Sequence, residues 1–427
     1  MTGPSTISYT DMARVFGRIG VLSFGGPAAQ IALMHRELVE LRDWLSEAQF
    51  LNALSFCMLL PGPEAMQLAT YAGWRKGGAR GGLLAGGLFV LPGALVILVL
   101  ASLYAALGQV PLVTALFLGI KATVIIVVIE ALIRVAAKAL KSRLAYGLAG
   151  AAFLGLYVFD LPFPLIIVGA ALIGAAGMGR DGGRVVPVTA RPRGTAATVA
   201  FWLTLWLLPV AALWLIASDG VLAQVAMFFS KLAIVTFGGA YAVLAYMVQA
   251  VVSDFGWLET GQMMDALGLA ETTPGPLILV TEFVAFLAGA GQGGLWGGVL
   301  AAVVALWVTF LPSFLWIFAF APYVDWITGQ PRLNGALKGT TAAVVGVILN
   351  LSVWFGLNVL FSEGEQAVFG PARLWLPDLS SLQPGALLLS LLAGWLLIRR
   401  KTDLLIALPI MAAAGAVWAM GLAPLFG

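Results

Sequence analysis

The sequence predicts an all-α polytopic membrane protein, made of two inverted-topology repeats of about six transmembrane segments joined by one extra helix, with helices broken at the midplane. Three observations predict it: composition, a series of membrane-length apolar runs, and a self-similarity at fixed offset. Of 427 residues, 61% are hydrophobic and 10% charged, with 51 glycines and 14 tryptophans and a mean hydropathy of +0.99. A soluble domain keeps about a quarter of its residues charged, so most of this surface faces lipid. The 23 basic and 20 acidic residues are too dilute for a nucleic-acid-binding face. One cysteine, Cys57, and one histidine, His35, exclude a disulfide framework, an iron–sulfur cluster, a CxxC pair and a His/Cys zinc site. No metal or other cofactor is expected. The first twenty residues lack the basic cap, short apolar core and cleavage site of a signal peptide, so the first segment is expected to stay in place.

Runs of about 20 apolar residues are needed to cross the hydrocarbon layer. They occur near 12–35, 47–74, 82–107, 111–133, 144–159 and 162–178, then near 199–217, 222–250, 262–288, 294–321, 336–360, 384–398 and 403–425. The segments at 144–159 and 384–398 are short, and 47–74 is interrupted by Pro61 and Pro63, so the expected number lies between eleven and thirteen. With the amino terminus inside, the inner loops take Arg14, Arg75, Lys76, Arg80, Arg134, Lys138, Lys141, Arg143, Arg180, Arg184, Arg191, Arg193, Arg332, Arg399, Arg400 and Lys401; the outer loops take only Arg36, Arg42 and Arg373. This asymmetry predicts a cytoplasmic amino terminus and a periplasmic carboxyl terminus.

The chain also matches itself. FGRIGVLSFGG at 16–26 corresponds to FSKLAIVTFGG at 229–239, an offset of 213 that holds without a gap through Trp44 and Trp257, Gln49 and Gln262, and Pro61-Gly62-Pro63 and Pro274-Gly275-Pro276. With small gaps the match continues through the GGxxGG of 77–82 and 293–298, Leu91-Pro92 and Leu311-Pro312, and Lys121 and Lys338. The expected organisation is a first membrane repeat at 1–178, a basic inner linker plus connecting helix at 179–221, and a second repeat at 222–427. Six segments per copy and one between them invert the second copy, a plan common in secondary transporters with a midplane substrate site.

In such proteins the site lies where Gly and Pro interrupt apolar segments at matching places in both halves. Gly25, Gly26 and Pro27 with Gly238 and Gly239 form one such pair; Pro61, Gly62 and Pro63 with Pro274, Gly275 and Pro276 form the other. A helix restarting after Pro63 or Pro276 turns free amides and its positive dipole end inward, which favours an anion. The alternative is that these residues serve kinking and close packing alone. Arg18 and Lys231 share one repeat position, and Lys121 and Lys338 another; intramembrane cations in matched pairs suit a dianion better than a neutral solute, although Arg18 and Lys338 can equally snorkel to the interface. Glu64 and Glu271 are not matched between the copies, and Glu282 lies in the middle of an apolar stretch. Such carboxylates either pair with cations or accept a proton, which makes a proton the candidate coupling partner. Glu130 and Asp160 read as interfacial, His35 as a wet surface histidine and Cys57 as packing.

The segments SFGGPAAQIALMHREL, LLPGPEAMQLATYAGW and GLFVLPG in the first half, and TFGGAYAVLAYM, GLAETTPGPLILVTEFVAF and FLPSF in the second, resemble the chromate ion transporter family in its long-chain, two-domain form. The resemblance covers both halves. It implies efflux of chromate from the bacterial cytoplasm across the inner membrane, powered by the membrane gradient and conferring resistance, with sulfate as a competing tetrahedral oxyanion. Family motifs fall on Gly25, Gly26, Pro61, Gly62, Pro63, Glu64, Gln67, Gly238, Gly239, Glu271, Thr272, Thr273, Pro274, Gly275 and Pro276. The family pattern leads one to expect glutamine where this chain has Glu282. With Arg18, Lys121, Lys231 and Lys338 these residues make up the expected substrate site, in a lipid bilayer, with a homodimer as the candidate assembly.

Other classes fare worse. A membrane enzyme would need a catalytic constellation, and the sequence has no HExxH, aspartate pair or Ser/His/Asp set. It also lacks GxxxxGK[ST], so it carries no Walker-type ATPase site. A sulfate permease and an anion channel remain the alternative transport readings.

Overall fold

The computed structural model describes residues 7–24, 26–179, 194–237, 240–370 and 372–422. Its helices are α1 (Tyr9–Leu22), α2 (Gly26–His35), α3 (Glu47–Leu59), α4 (Glu64–Leu107), α5 (Pro111–Ala139), α6 (Arg143–Tyr157), α7 (Phe163–Gly177), α8 (Thr195–Ile216), α9 (Val221–Val235), α10 (Ala240–Gln249), α11 (Thr260–Thr272), α12 (Val280–Phe320), α13 (Val324–Thr328), α14 (Pro331–Leu360), α15 (Pro384–Gly394) and α16 (Leu404–Val417). Among the described residues, six helical stretches are long and apolar enough to cross a membrane: Glu64–Leu107, Pro111–Ala139, Thr195–Ile216, Leu277–Thr328, Pro331–Leu360 and Leu404–Gly421. Shorter apolar helices accompany them. The protein is an all-α polytopic membrane protein with one small addition, an antiparallel hairpin of β1 (Gly364–Phe369) and β2 (Ala372–Pro377). Most of the basic linker expected at 179–197, and Gly25, Gly238 and Gly239, lie outside the described residues.

The main departure from the sequence expectation concerns the first two apolar runs. Instead of crossing straight, each doubles back. Arg18 Nε lies 3.9 Å from Glu37 Oε1, whereas a continuous helix would hold residues that far apart in sequence about 28 Å apart. The rings of Phe16 and Trp44 approach to 6.0 Å, and the start of α1 shares a surface pocket with Arg42 and Trp44. Helices α1 and α2 are therefore an antiparallel hairpin, and Gly26 at the start of α2 takes the positive φ of 78° that glycine adopts without steric cost. The second pair behaves alike: Phe56 in α3 and Tyr71 in α4 come within 6.2 Å on either side of Pro61-Gly62-Pro63, with Gly62 at φ 119°.

A third reversal, at Gly77 (φ −133°, ψ 18°) and Gly78 (φ 62°, ψ −156°), divides α4. Gly293 and Gly294 divide α12 with nearly the same angles, −128°, 18° and 60°, −157°. Tyr9 Oη donates to the Gly77 carbonyl at 3.3 Å, so the start of α1 and the turn of α4 sit at one end of their unit. His35 closes the α2 end with Nε2 2.7 Å from Glu47 and Nδ1 3.1 Å from Glu40. The Glu47 bond above all favours the imidazolium and lifts this group above its ordinary range.

The chain forms two compact units, and neither follows the order of the sequence copies. The first comprises Met1–Ser102, Ala175–Val243 and Thr273–Leu337. In it the Trp202 ring of α8 lies 5.8 Å from Phe314 and 5.3 Å from Phe318 of α12, while Trp206 donates to Ser230 of α9 at 3.2 Å. The connecting helix is thus built into this unit. The second unit comprises Leu103–Gly174, Leu244–Thr272 and Lys338–Gly427. There α5 and α16 cross so closely that a Cβ at Gly119 would meet the Met411 carbonyl, the small-residue contact typical of membrane helices. Ala122, Leu389, Ala393, Leu396 and Met411 fill the core beside it. The β-hairpin is tied on by Arg373, whose amide donates to Val158 at 2.7 Å.

The hairpin reading separates cleanly from a crossing one. With Cys57 replaced by Ala, single cysteines at Ala48 and Ala79, both exposed, should react with a membrane-impermeant thiol reagent from the same side of the membrane. Labelling from opposite sides would mean that the segments cross.

Candidate functional site

The site begins with a problem of backbone chemistry. Where a helix breaks inside an apolar medium, its last carbonyls and the first amides of the next helix have no water to bond. In the first unit four breaks answer this by meeting in pairs. The Gly62 amide donates to the Thr236 carbonyl at 2.8 Å, and the Gly275 amide donates to the Ser23 carbonyl at 2.9 Å. Both members of the second bond stand 213 residues after members of the first: Ser23 corresponds to Thr236 and Gly62 to Gly275. The side chains match as well, since Ser23 Oγ donates to Ile19 O at 2.5 Å and Thr236 Oγ1 to Leu232 O at 2.6 Å. Each hydroxyl satisfies a carbonyl in the last turn of its helix.

Two glutamines reinforce these junctions. Gln30 of α2 is 1% exposed and donates from Nε2 to Gly275 O at 2.7 Å and more loosely to Ser23 O at 3.4 Å. Gln67 of α4 is fully buried and donates from Nε2 to Pro61 O at 2.7 Å and to Ser313 Oγ at 3.5 Å. Because acceptors fix both amide orientations, each Oε1 faces away and has no partner among the described residues. Gly62 has no room for a side chain: a Cβ there would stand 2.7 Å from Gln67 Nε2 and 2.9 Å from Ser313 Oγ.

Helix α4 opens at Glu64, directly after Pro63, and its first helical bond runs from Gln67 N to Pro63 O at 3.0 Å. The amides of Glu64, Ala65 and Met66 therefore precede the helical ladder and carry the positive end of the dipole. Helix α2 opens at Gly26; Pro27 has no N–H, so its free first-turn amides include those of Ala28 and Ala29. In the second copy a 3₁₀ turn, Leu277–Leu279, separates Pro276 from α12. These three residues account for the change of offset from 213 at the PGP segments to 216 at the glycine turns.

The structure gathers only part of the expected site. Gly26, Pro61, Gly62, Pro63, Glu64, Gln67, Thr273, Pro274, Gly275 and Pro276 lie at the breaks of the first unit. Thr273, Gly275 and Pro276 are buried. Thr272 ends α11, and Glu271 beside it is buried in the second unit. Of the four cations, Arg18 and Lys231 belong to the first unit and Lys121 and Lys338 to the second. Arg18 is 58% exposed at its side chain and pairs with Glu37, which Arg42 also holds. Lys121 lies in the second unit, where its Nζ is 3.0 Å from Asp265 Oδ1 and Tyr104 Oη donates to Asp265 Oδ2 at 2.7 Å. Lys231 and Lys338 are exposed, in the first and second units respectively. Glu282 is 1% exposed in the first turn of α12. Sequence reasoning missed Ser23, Gln30, Thr236, Ser313, Tyr104 and Asp265. A polar residue at an internal position of an apolar run was the available signal for Gln30 and Asp265; nothing local distinguished the others.

The chromate transporter family model matches residues 10–175 and 223–419, one segment for each sequence copy. The chain belongs to the chromate transporter family. It is 31% identical over 358 residues to a probable chromate transport protein of Synechococcus elongatus, covering 83% of this chain and 86% of that one. It is 32% identical over 348 residues to a chromate transport protein of Pseudomonas aeruginosa, covering 81% and 80%. An uncharacterized transporter of Bacillus subtilis aligns at 30% identity over 157 residues, 88% of its own length but 36% of this chain. That relative is thus about the size of one copy. No solved structure matches the chain. Membership makes this a membrane transport protein and not an enzyme.

The Lys121–Asp265 pair allows a sharp test of whether Lys121 serves the anion directly. Removing one partner of a buried ion pair costs about 3–5 kcal/mol because the other charge is stranded. Lys121→Ala should therefore lower thermal stability of the purified protein, and the double variant Lys121→Ala/Asp265→Asn should recover most of it together with transport. Recovered stability without recovered transport would assign Lys121 to the substrate.

Proposed function

We propose that this chain exports chromate from the bacterial cytoplasm across the inner membrane, driven by the membrane gradient, and so confers chromate resistance. The observation that carries the reading is the pairwise meeting of the helix breaks. It brings helix amino termini, glycine backbone and two buried amides to the breaks of the first unit, and helix amino termini favour anions. The relatives named as chromate transport proteins supply the substrate. The amino terminus is taken to be cytoplasmic and the carboxyl terminus periplasmic, on the distribution of basic residues. The hairpin form of α1 and α2 supports this: it returns Arg36 and Arg42 to the side of Arg14, Arg75, Lys76 and Arg80, leaving Arg373 as the one basic residue among the outer loops.

In this reading the two sequence copies are inverted, and each gives one break to each junction. The anion is held by the free first-turn amides of α2 and α4. Lys231, at the repeat position of Arg18, and Lys338 add long-range attraction. Alternating access follows if the junctions open in turn. Export is electrically downhill: each negative charge moved outward gains about 2.3 kcal/mol per 100 mV of inside-negative potential, and a dianion about twice that.

Uptake of radiolabelled chromate into inside-out vesicles tests the reading. Uptake should saturate, rise with an imposed potential and fall with sulfate as competitor. Gly62→Ala should reduce it by about tenfold or more, since an alanine at positive φ costs about 1–2 kcal/mol and its Cβ collides with Gln67. No uptake above empty vesicles, with the protein folded and inserted, would overturn chromate export.

A further inference from the structure

The first unit holds a line of buried polar side chains that begins at the anion site and extends beyond it. From the Pro61–Pro63 break it runs through Gln67 and Ser313 Oγ, 3.5 Å apart, to Thr309 one turn earlier on α12. Thr309 Oγ1 lies 3.5 Å from Thr281 Oγ1, and the next residue is Glu282. All five are buried: Gln67, Ser313 and Thr281 at 0%, Glu282 at 1% and Thr309 at 4%. Gln67 Oε1 and Glu282 Oε2 are both sealed from solvent without a hydrogen-bond partner among the described residues. Among the described residues no ion pair reaches Glu282. It is the only charged residue in α12, and α8 has none. Lys231 is the only charge on α9 and is exposed.

A carboxylate buried in this way, with no ion pair among the described residues, is costly to keep ionised. Taking up a proton removes the charge and supplies the donor that the open acceptors lack. We propose that Glu282 is a proton-binding site of the transport cycle, and that the hydroxyl line Thr281–Thr309–Ser313 with Gln67 links its protonation to the break at Gly62. The proton enters as the anion leaves: Glu282 binds H⁺ on one side as carboxyl and releases it on the other as carboxylate, with no other reactant. This rests on the export reading for its direction. Export of a dianion with entry of one proton moves three charges per cycle instead of two, so both components of the proton gradient drive it.

Two measurements test this, one of them independent of the substrate. In inside-out vesicles at fixed potential, an acid interior should speed chromate uptake severalfold in the wild type, and Glu282→Gln should abolish that acceleration while keeping potential-driven uptake. An equal response to the pH gradient in both proteins would overturn the proposal. Separately, membranes treated with dicyclohexylcarbodiimide, which attacks protonated carboxyls in apolar surroundings, should yield an adduct on the Glu282 peptide that declines as pH rises. Absence of that adduct from folded wild-type protein would overturn the proton site. If vesicles show no chromate uptake, the export reading fails by itself, and a pH-dependent adduct still supports Glu282 as a proton site.

Discussion

A broken helix in lipid must find partners for its exposed backbone groups, and this constraint organises the rest of the molecule. Each free N–H or C=O left in hydrocarbon costs several kcal/mol, yet the chain places breaks in matching segments of both sequence copies. It resolves the cost by crossing over. The Gly62 amide takes the Thr236 carbonyl and the Gly275 amide takes that of Ser23, so each copy satisfies the other. The compact units then cannot coincide with the copies, and they do not: the first unit draws residues from both halves of the sequence. Small side chains follow from the same need. Glycine is required at 62 because its φ is 119° and because Gln67 and Ser313 stand where a Cβ would be.

Those bonds also give the proposed site its character. Backbone groups that must pair inside an apolar unit bring helix amino termini with them, and a transporter of oxyanions can use these without a dedicated cluster of lysines. The cations that looked suited to a dianion are largely engaged elsewhere: Arg18 with Glu37, and Lys121 with Asp265. An anion held by amides and dipoles is released more easily than one locked to a buried guanidinium, which suits a protein that must let its cargo go.

Much of this was legible in the sequence, for identifiable reasons. Composition and run length gave the membrane class. The ungapped offset of 213 marked the breaks, because Gly and Pro have backbone consequences that do not depend on context. What the sequence concealed was direction. Two crossings and two hairpins return the chain to the same side, so the positive-inside pattern accommodates either, and only Arg36 and Arg42 on the wrong side hinted at hairpins. Charge pairing was hidden too: Lys121 and Asp265 are far apart in sequence and meet only through the packing of α5 and α11. Gln30 and Gln67 perform similar tasks at the two junctions, yet both come from the first copy, so the repeat could not reveal their kinship.

Density for a bound anion tests the central claim most directly. A structure determined in the presence of chromate, with chromium located by its anomalous scattering, should place the ion at the breaks of the first unit, within hydrogen-bonding reach of the first-turn amides of α2 or α4. Chromium found beside Lys121 in the second unit, or only on the exposed surface, would contradict an anion site built from paired helix breaks.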